Sequence, residues 1–498
     1  MAKFTFPNPF ENKLQSAYFI ETLKRSFLFR ELSIEIDYLS FELDREIDYE
    51  KAKAIIGQTY TVAVKMTVNQ IFEKKVEVVF NENIFDDLIE AGEVNEIGEG
   101  IYVFQGQFLK LMNFFDGVVK DFAESIQGIE QHYPTRWPIE LFKNINYFEE
   151  FPQNILLVSG AKKDRTALEF ITSKYGKSND FNKIELGDFL EPAYTALGTS
   201  TCDPCYYIHK NKKLGNNETF YALSKCFRNE KSATNQLDRL TEFSMREIIA
   251  TGQEGYVKSQ RETLLQFIES FASFTGIACS LEKASDPFFT IETPEKGALQ
   301  NQIESKFELL VPLGHNRPDL AVGSVNWHSD FFGRSFEIRD SSNYYMSSCC
   351  LAFGLERLVF AFLTQHGLIK TGWPEEVQKA FDDFGTNGSE SKTLMPEIEM
   401  PNKKVTPTAD VISRKDMDIK TSKFRELLRE LLVESLNLEP TEEKWLNSRD
   451  TFNWDSLNHL KVISCIEERF EVVIPPESRS ELMDEKSIVA FLESELSK

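Results

Sequence analysis

Hydrophobic and polar residues alternate between about Ile34 and Val79, which is the period of strands with one buried face. The clearest stretch has an apolar residue at every second position, at Tyr60, Val62, Val64, Met66 and Val68. Helical spacing replaces this alternation between Phe108 and Phe122. The pattern therefore predicts a small α+β region over residues 1–135, and no residues in it indicate a chemical role.

Short apolar runs separated by helical stretches follow between about residues 140 and 384. The runs that predict strands are 155–158, 220–223, 307–311 and 336–338, and residues 257–275 have the spacing of a helix. A mixed sheet flanked by helices is the predicted architecture of residues 136–384.

Residues 385–419 lack an apolar period and contain three prolines, so they are predicted to form a flexible linker. Helical spacing of apolar residues returns in the last 80 residues, which predicts a small helical bundle over residues 420–498. The apolar positions are Phe424, Leu427, Leu428, Leu431 and Leu432, and later Ile488, Phe491, Leu492 and Leu496.

The composition of the chain limits which classes of protein and which binding partners are compatible with it. A chain of 498 residues with 41% hydrophobic residues has enough apolar surface for two to four domains. It has no apolar run near the roughly 18 residues of a membrane span, and its N-terminus lacks a signal-peptide pattern. We therefore expect a cytoplasmic protein with no membrane partner. The net charge of −23 disfavours nucleic acid, including tRNA, as the main partner.

The cysteine content points to metal ligation or burial. An odd number of cysteines in a chain expected in the cytoplasm disfavours structural disulfides. The seven are Cys202, Cys205, Cys226, Cys279, Cys349, Cys350 and Cys465.

Near the C-terminus, Trp454-Asp-Ser-Leu457 precedes apolar residues with helical spacing and then Val473-Ile-Pro-Pro476. Asp455 alone could simply be a helix N-cap. In this order, however, the segments resemble acyl and peptidyl carrier proteins over about residues 420–497. The resemblance implies a four-helix domain with a 4'-phosphopantetheine arm on Ser456, attached by a phosphopantetheinyl transferase. A serine at a helix start suits this modification, because the phosphate lies near the positive end of the helix dipole.

Three further segments matter only in combination: Cys226-Phe-Arg-Asn-Glu230, Arg239-Leu-Thr-Glu-Phe-Ser-Met-Arg-Glu247 and Ser347-Ser-Cys-Cys-Leu-Ala-Phe-Gly-Leu-Glu-Arg357. Together they resemble motifs 2 and 3 of class II aminoacyl-tRNA synthetases. With Lys306-Phe-Glu-Leu-Leu-Val-Pro312 and Asn326-Trp-His-Ser-Asp-Phe-Phe-Gly333, they are most similar to bacterial amino acid:carrier-protein ligases, relatives of zinc-containing seryl-tRNA synthetases. The resemblance implies an α+β catalytic domain with a mixed, mainly antiparallel sheet and flanking helices.

The resemblance also implies roles for individual residues. Arg228 would hold the ATP α-phosphate and the amino acid carboxylate, and Glu230 would contact the adenine amino group. Phe243 would stack on adenine, and Arg357 would pair with the γ-phosphate. Such cations, together with Mg²⁺, are needed because the attack of a carboxylate on a phosphate joins two anions.

A zinc site is implied at Cys202, Glu247 and Cys350, where the related enzymes place metal ligands. Three protein ligands with an open fourth position are typical of a catalytic zinc, and in the family that position takes the substrate amine. Two alternatives remain open in the sequence. Cys205 could replace Cys202, and Cys349 could replace Cys350. The pair formed by Cys202 and Cys205 could also be half of a structural zinc site or a redox pair.

The expected reaction has two steps. ATP and a small amino acid, with glycine or alanine favoured by the family, give an aminoacyl-adenylate and pyrophosphate. The phosphopantetheine thiol of the chain's own carrier domain or of a partner chain then takes the aminoacyl group and releases AMP. The product would pass to downstream aminoacyl-accepting enzymes, and a homodimer is expected by analogy. The alternatives are a seryl-tRNA synthetase-like enzyme acting on tRNA and a non-catalytic scaffold that presents a carrier domain.

Overall fold

A computed structural model of the chain describes residues 70–176, 186–229, 236–284, 305–314, 317–387 and 394–395. It also describes shorter stretches and single positions within residues 3–64 and 428–496. Contacts between residues divide the chain into two compact units, residues 1–398 and residues 399–498.

The described residues of the first unit form both strands and helices. Its strands are β1 (Lys3–Pro7), β2 (Phe29–Ile34), β3 (Tyr38–Leu43), β4 (Gln70–Lys74), β5 (Val94–Gly98), β6 (Ile101–Phe104), β7 (Ile129–Glu130), β8 (Arg136–Pro138), β9 (Leu157–Val158), β10 (Thr195–Leu197), β11 (Glu218–Phe227), β12 (Glu242–Gly252), β13 (Cys279–Lys283), β14 (Lys306–Val311), β15 (Leu320–Ser329) and β16 (Ser347–Gly354). Its α-helices are α1 (Lys13–Arg25), α2 (Ile84–Glu90), α3 (Gly106–Ser125), α4 (Ile139–Asn144), α5 (Tyr147–Glu150), α6 (Arg165–Tyr175), α7 (Asp203–Tyr207), α8 (Glu254–Thr275), α9 (Phe331–Ser335), α10 (Leu355–His366) and α11 (Glu375–Asn387). Short 3₁₀ helices lie at Pro152–Asn154, Gly187–Phe189 and Lys370–Gly372.

A large sheet organises this unit. Within the described part of the chain it has eight strands in the order β4-β13-β14-β15-β16-β12-β11-β7. Neighbouring strands are antiparallel except for the parallel pair β11 and β7. The predicted mixed, mainly antiparallel sheet with flanking helices is confirmed. Strands before residue 136 share this sheet with strands after it, and the division of the chain into four domains stays a prediction.

The two faces of the sheet have different cores. Helices α3, α8 and α10 cover one face, where helix residues such as Phe115 and Phe267 share a core with Phe353 of β16. Burial of each such side chain contributes about 1.5–3 kcal/mol. The opposite face packs against a smaller cluster that includes Trp137, Tyr206 and the sheet residue Cys350. Metal-binding or reactive side chains that point to this second face, such as Cys350, therefore lie close to one another in the same buried cluster.

Most long elements agree with the sequence pattern. Helix α3 contains the helix predicted over residues 108–122, and α8 contains the one predicted over 257–275. The strands predicted at 155–158, 220–223 and 307–311 are found as β9, β11 and β14.

The strand predicted through Tyr60 and Val64 is wrong at the positions that the structure describes. Thr59, Tyr60 and Ala63 are helical, and the Val64 N–H donates to the Tyr60 carbonyl at 3.1 Å. The buried residues are Ile55, Ile56, Thr59 and Ala63, which follow a helical period, whereas Tyr60 is 39% exposed. The alternation of large apolar residues was therefore a misleading signal here.

The strand predicted at residues 336–338 is also wrong. Phe336 and Ile338 lie in the turn after α9, and the residue between them, Glu337, has a φ of 52°. Both apolar side chains are fully buried because the turn folds them into the second core. Two apolar residues around a polar one mimic a short strand in sequence.

A buried ion pair joins α3 to the sheet. The Arg246 Nε and Nη2 atoms donate to the two Asp116 carboxylate oxygens at 2.6 and 2.7 Å, and the Arg246 side chain is only 4% exposed. Replacing Asp116 by alanine would leave that guanidinium buried without its counter-charge.

We therefore expect Asp116→Ala to lower the free energy of unfolding by about 3–5 kcal/mol, measured by urea denaturation. Glu130→Ala is the control, because Glu130 of β7 pairs with Lys120 of the same helix at the surface, where the side chains are 52% and 36% exposed. It should cost less than about 1 kcal/mol. Equal losses of unfolding free energy in Asp116→Ala and Glu130→Ala would contradict the assignment of Arg246 and Asp116 as a stabilising buried ion pair.

The second unit has a separate apolar core, with helix α12 (Glu485–Leu496) at its end. The buried residues agree with the apolar positions of the predicted bundle and include Leu428, Leu432, Ile463, Ile466, Phe470, Ile488 and Leu492. Asp455 and Ser456 lie outside the described residues. The four-helix carrier fold and the linker over 385–419 stay predictions. Within the range predicted as a linker, α11 extends to Asn387, and Met395 is buried in the first core.

Candidate metal centre and nucleotide site

Cys202, Glu247 and Cys350 converge at one buried point on the second face of the large sheet. One ligand atom from each residue lies within 4.8 Å of the other two, and all three residues are buried. Cys350 pairs with Ile249 and Ala352 pairs with Glu247 across β16 and β12. Residues two apart on a strand share a face, so Glu247 and Cys350 are diagonal neighbours.

Cys202 reaches the same point from a loop that is tied to the sheet. The Thr201 hydroxyl donates to the Met245 carbonyl at 3.1 Å, and Cys202 directly precedes α7. The loop passes close to Trp137, because a Cβ at Gly198 would lie 2.5 Å from that ring. Glycine is therefore required where the chain passes Trp137 of β8.

The donor set fits a zinc ion. Among the described residues, the buried Glu247 Oε2 has no hydrogen-bond partner. Burial first, and then the neighbouring Cys350 sulfur, raises the pKa of the Glu247 carboxyl well above its usual value. A divalent cation would satisfy this oxygen and favour the charged carboxylate. Two sulfurs and one carboxylate oxygen are ordinary zinc donors, at about 2.3 Å and 2.0–2.2 Å respectively.

The two thiols differ in their surroundings. A hydrogen bond from Cys202, and then the nearby His328, lowers the pKa of Cys350 well below its usual value, whereas the same hydrogen bond and burial raise the pKa of Cys202. The Asn326 amide also donates to the Cys350 sulfur at 3.5 Å. Cys350 is thus the thiol that its neighbours stabilise most as a thiolate.

The structure distinguishes between the cysteines that the sequence left as alternative metal ligands. Cys349 faces the opposite core, and its thiol donates to the Val257 carbonyl at 3.6 Å. Cys205 lies three residues after Cys202 on α7, where it hydrogen-bonds Tyr133 and is not part of the cluster. Cys202 and Cys350 are the cysteines that the structure brings together with Glu247.

Arg228 shares a cavity of about 220 Å³ with the three candidate ligands. Its Nε donates to the Thr199 carbonyl at 3.2 Å, and its guanidinium lies 5.3 Å from the centre of the Phe243 ring. Phe243 is held at this end of β12 by its pairing with Cys226 on β11. The arrangement places a fixed cation and an aromatic face on one side of the cluster.

The remaining predicted site residues are not all at this cavity. Arg357 lies in α10, where its Nη1 donates to the Ala321 carbonyl at 3.2 Å, and it is not among the residues that line the cavity. Glu230 and Ser456 lie outside the described residues.

Glu356 is a structural member of the site that the sequence did not single out. Both of its carboxylate oxygens accept from the Ser244 N–H, at 2.9 and 2.8 Å, and the residue is 1% exposed. Lys225 lies 3.6 Å from the same carboxylate. Glu356 therefore fixes the start of α10, and with it the adjacent Arg357, against the strand that carries Phe243.

Lys306, Asn326 and His328 also line the cavity. Lys306 pairs with Asn326 and Asn326 pairs with Cys350, so they occupy one row across β14, β15 and β16. The sequence motifs contained these residues, but only the strand register shows that they reach the cluster.

Comparisons with known proteins identify the family. No protein-family model matches the chain. Amino acid–[acyl-carrier-protein] ligase 1 from Bradyrhizobium diazoefficiens is 31% identical over 236 residues, which cover 47% of this chain and 70% of that protein. The chain belongs to the amino acid–[acyl-carrier-protein] ligase family. It is therefore a ligase, and the resemblance predicted from its catalytic motifs is confirmed.

This ligase is also similar to synthetases. A type-2 serine–tRNA ligase from Methanococcus aeolicus is 24% identical over 365 residues, which cover 72% of this chain and 69% of that enzyme. The crystal structure of M. kandleri SerRS in complex with A. aeolicus tRNASec superposes with a TM-score of 0.56 and 18% identity, over 80% of each chain. The class II synthetase-like fold is thus confirmed, and the synthetase relatives support the use of ATP.

None of the described helices of the ligase is both long and apolar enough to cross a lipid bilayer.

Proposed function

We propose that this ligase activates a small amino acid with ATP and transfers it to the phosphopantetheine thiol of a carrier. The observation that supports this most is the buried cluster of Cys202, Glu247 and Cys350 in the same cavity as Arg228. A metal held by the cluster would bind the amine of an α-amino acid, and Arg228 would bind its carboxylate.

Cys202, Glu247 and Cys350 would hold a zinc ion in this proposal. When bound, zinc supplies a fourth coordination position for the neutral α-amine, which leaves the carboxylate free to react. The three side chains contribute rigidity, because each is buried on a regular element or directly before one. They therefore orient the amino acid rather than only bind it.

Arg228 provides the positive charge that brings the carboxylate to the ATP α-phosphate. Two anions repel each other, and a guanidinium with two aligned N–H groups offsets this repulsion directionally. The Thr199 carbonyl restrains Arg228, so little reorientation is needed during the reaction. Mg²⁺ would accompany the phosphates.

The nucleotide roles of the remaining residues are part of the same proposal. Phe243 would stack on adenine, Glu230 would contact the adenine amino group, and Arg357 would pair with the γ-phosphate. The position of the Phe243 ring beside Arg228, with 5.3 Å between the guanidinium and the ring centre, supports the role of Phe243.

Arg228→Met should lower the rate of amino-acid-dependent ATP–pyrophosphate exchange by about 100-fold, as expected for the loss of one preorganised charge donor. Zinc content should not change, because Arg228 is not a candidate ligand. Arg136→Met, which removes an exposed arginine of β8, is the control and should leave exchange at the wild-type rate. A rate close to wild type for Arg228→Met would exclude its proposed role.

The acceptor in this proposal is the phosphopantetheine thiol on Ser456. A tethered carrier reaches an active site of its own or a neighbouring chain at high effective concentration. The net charge of −23 favours such an acceptor over tRNA, whose binding depends on basic residues.

Aminoacylation of tRNA is a second candidate function. The alignment with the serine–tRNA ligase of M. aeolicus covers 72% of this chain, compared with 47% for the carrier-protein ligase. In this case the chain would charge tRNA with serine and would not load its carrier domain.

Intact-mass analysis of the full chain distinguishes these functions. The phosphopantetheinylated protein is incubated with ATP, Mg²⁺ and each amino acid, in parallel with an assay for charging of total tRNA. We expect a mass gain of one glycine or alanine residue and no charged tRNA. Charged tRNA without a mass gain would support the second candidate, and neither product together with no pyrophosphate exchange would support a scaffold.

A further inference from the structure

His328 lies next to the candidate metal centre without being part of it. Its Nε2 is 3.8 Å from the Cys350 sulfur, and its Nδ1 is 3.1 Å from the Ser348 hydroxyl and 3.4 Å from the Tyr206 hydroxyl. His328 is not in the group of ligand atoms that lie within 4.8 Å of one another. Its place is therefore beside one sulfur rather than at the metal position.

A β-bulge aims the His328 ring at the cluster. The pairing of β15 with β16 shifts by one residue between Trp327 and Ser329, so His328 is the extra residue. Ser329 adopts a φ of 50° immediately afterwards. Bulges redirect side chains in this way and are common beside functional sites.

Aromatic packing restricts the ring further. Phe332 contacts His328 edge-on, with ring centres 4.9 Å apart, and stacks on Tyr206 at 3.9 Å. Tyr206 belongs to α7, the helix that follows Cys202, whereas Ser348 belongs to the strand that carries Cys350. His328 thus connects β16, which carries Cys350, with α7, which Cys202 directly precedes.

In the metal-bound form, the Cys350 thiolate determines which nitrogen of the His328 imidazole carries the proton. A metal-bound cysteine is a thiolate, which accepts hydrogen bonds and has no proton to donate. The Nε2 atom that faces Cys350 must then be the donor. The Nδ1 atom accepts from the hydroxyl of Ser348 or Tyr206, both of which are able to donate.

We propose that His328 is a positioning residue for the metal centre, which donates a hydrogen bond from Nε2 to the Cys350 thiolate and fixes the direction of that sulfur. The hydrogen bond also withdraws electron density from the thiolate, so the sulfur donates less charge to the metal. The metal is then a stronger acceptor for an amine. This inference rests on the proposed function, because it requires a metal at Cys202, Glu247 and Cys350. Partners of this kind around metal ligands affect affinity by about 10–100-fold.

The test compares two replacements of His328. His328→Leu removes the donor, whereas His328→Gln retains an N–H group near the position of Nε2. His132→Leu is the matched control, because His132 is an exposed histidine outside the site. Zinc affinity is measured by competition with a chromophoric chelator, and the cobalt(II)-substituted proteins are compared by their sulfur-to-cobalt charge-transfer absorption.

We expect His328→Leu to bind zinc about 10–100-fold more weakly and to shift the charge-transfer band to longer wavelength. His328→Gln should recover most of both properties, and His132→Leu should match the wild type. Wild-type affinity and an unshifted band in a folded His328→Leu protein would overturn the inference. If that variant does not fold, Ser348→Ala, which removes a partner of Nδ1, should show a smaller shift in the same direction, and no shift would overturn the inference.

The wild-type protein separates this inference from the proposed function. A wild-type chain that binds neither zinc nor cobalt would contradict the metal centre itself. A wild-type chain that binds both and catalyses exchange, with variants that behave identically, would contradict only the role of His328.

Discussion

Cys350→Ser should lose its bound zinc and lower amino-acid-dependent ATP–pyrophosphate exchange by about 10³-fold or more. A serine hydroxyl is a poor zinc ligand because it remains protonated near neutral pH, so two protein ligands would remain. Several kcal/mol of transition-state stabilisation depend on a catalytic metal, and each 1.36 kcal/mol corresponds to a tenfold change in rate.

The adjacent cysteine provides the control for this prediction. Cys349→Ser changes the same atom one residue earlier, but that side chain faces the other core, where it contacts the Val257 carbonyl. It should retain zinc and the wild-type exchange rate, with at most a small loss of stability. Cys205→Ser should likewise retain zinc, whereas Cys202→Ser should lose it. Loss of zinc in Cys349→Ser with retention in Cys350→Ser would reverse the assignment.

Ser456→Ala should abolish the gain in mass that the wild-type chain shows with ATP and its amino acid. The hydroxyl of Ser456 is the proposed attachment point of the phosphopantetheine arm, and alanine has no oxygen to accept it. The catalytic residues lie elsewhere in the chain, so amino-acid-dependent ATP–pyrophosphate exchange should continue at the wild-type rate.

A neighbouring serine controls for nonspecific modification of the carrier region. Ser464→Ala changes a serine eight residues further along and should leave both phosphopantetheinylation and loading intact. Persistence of the mass gain in Ser456→Ala would place the thioester elsewhere. Loss of both loading and exchange would indicate that the substitution disturbs the catalytic unit and would contradict the proposed separation of the two steps.

Local sequence patterns predicted the long elements of the fold well. Helices α3 and α8 each carry an apolar stripe over about four turns or more, and a stripe of that length excludes a strand. Short or isolated apolar residues were less informative. Tyr60 alternates with apolar neighbours but is helical, and Phe336 is buried in a turn, because tertiary packing decided both positions.

The candidate metal ligands were predictable only through the combination of motifs. Cys202, Glu247 and Cys350 are 148 residues apart from first to last, and no local rule places them together. The choice between Cys349 and Cys350 depends on which face of β16 each occupies, and that requires the strand's neighbours. No sequence pattern indicated a role for His328, because its position depends on a bulge in the pairing of β15 with β16.

X-ray absorption at the zinc edge of the purified wild-type ligase is the most direct measurement of the central claim. We expect two sulfur atoms at about 2.3 Å and two lighter atoms, nitrogen or oxygen, at about 2.0–2.2 Å, one from Glu247 and one at the open position. Addition of the activated amino acid should replace the lighter atom at the open position with an amine nitrogen and leave both sulfurs in place. A protein without zinc, or a site with four sulfur ligands, would contradict the account.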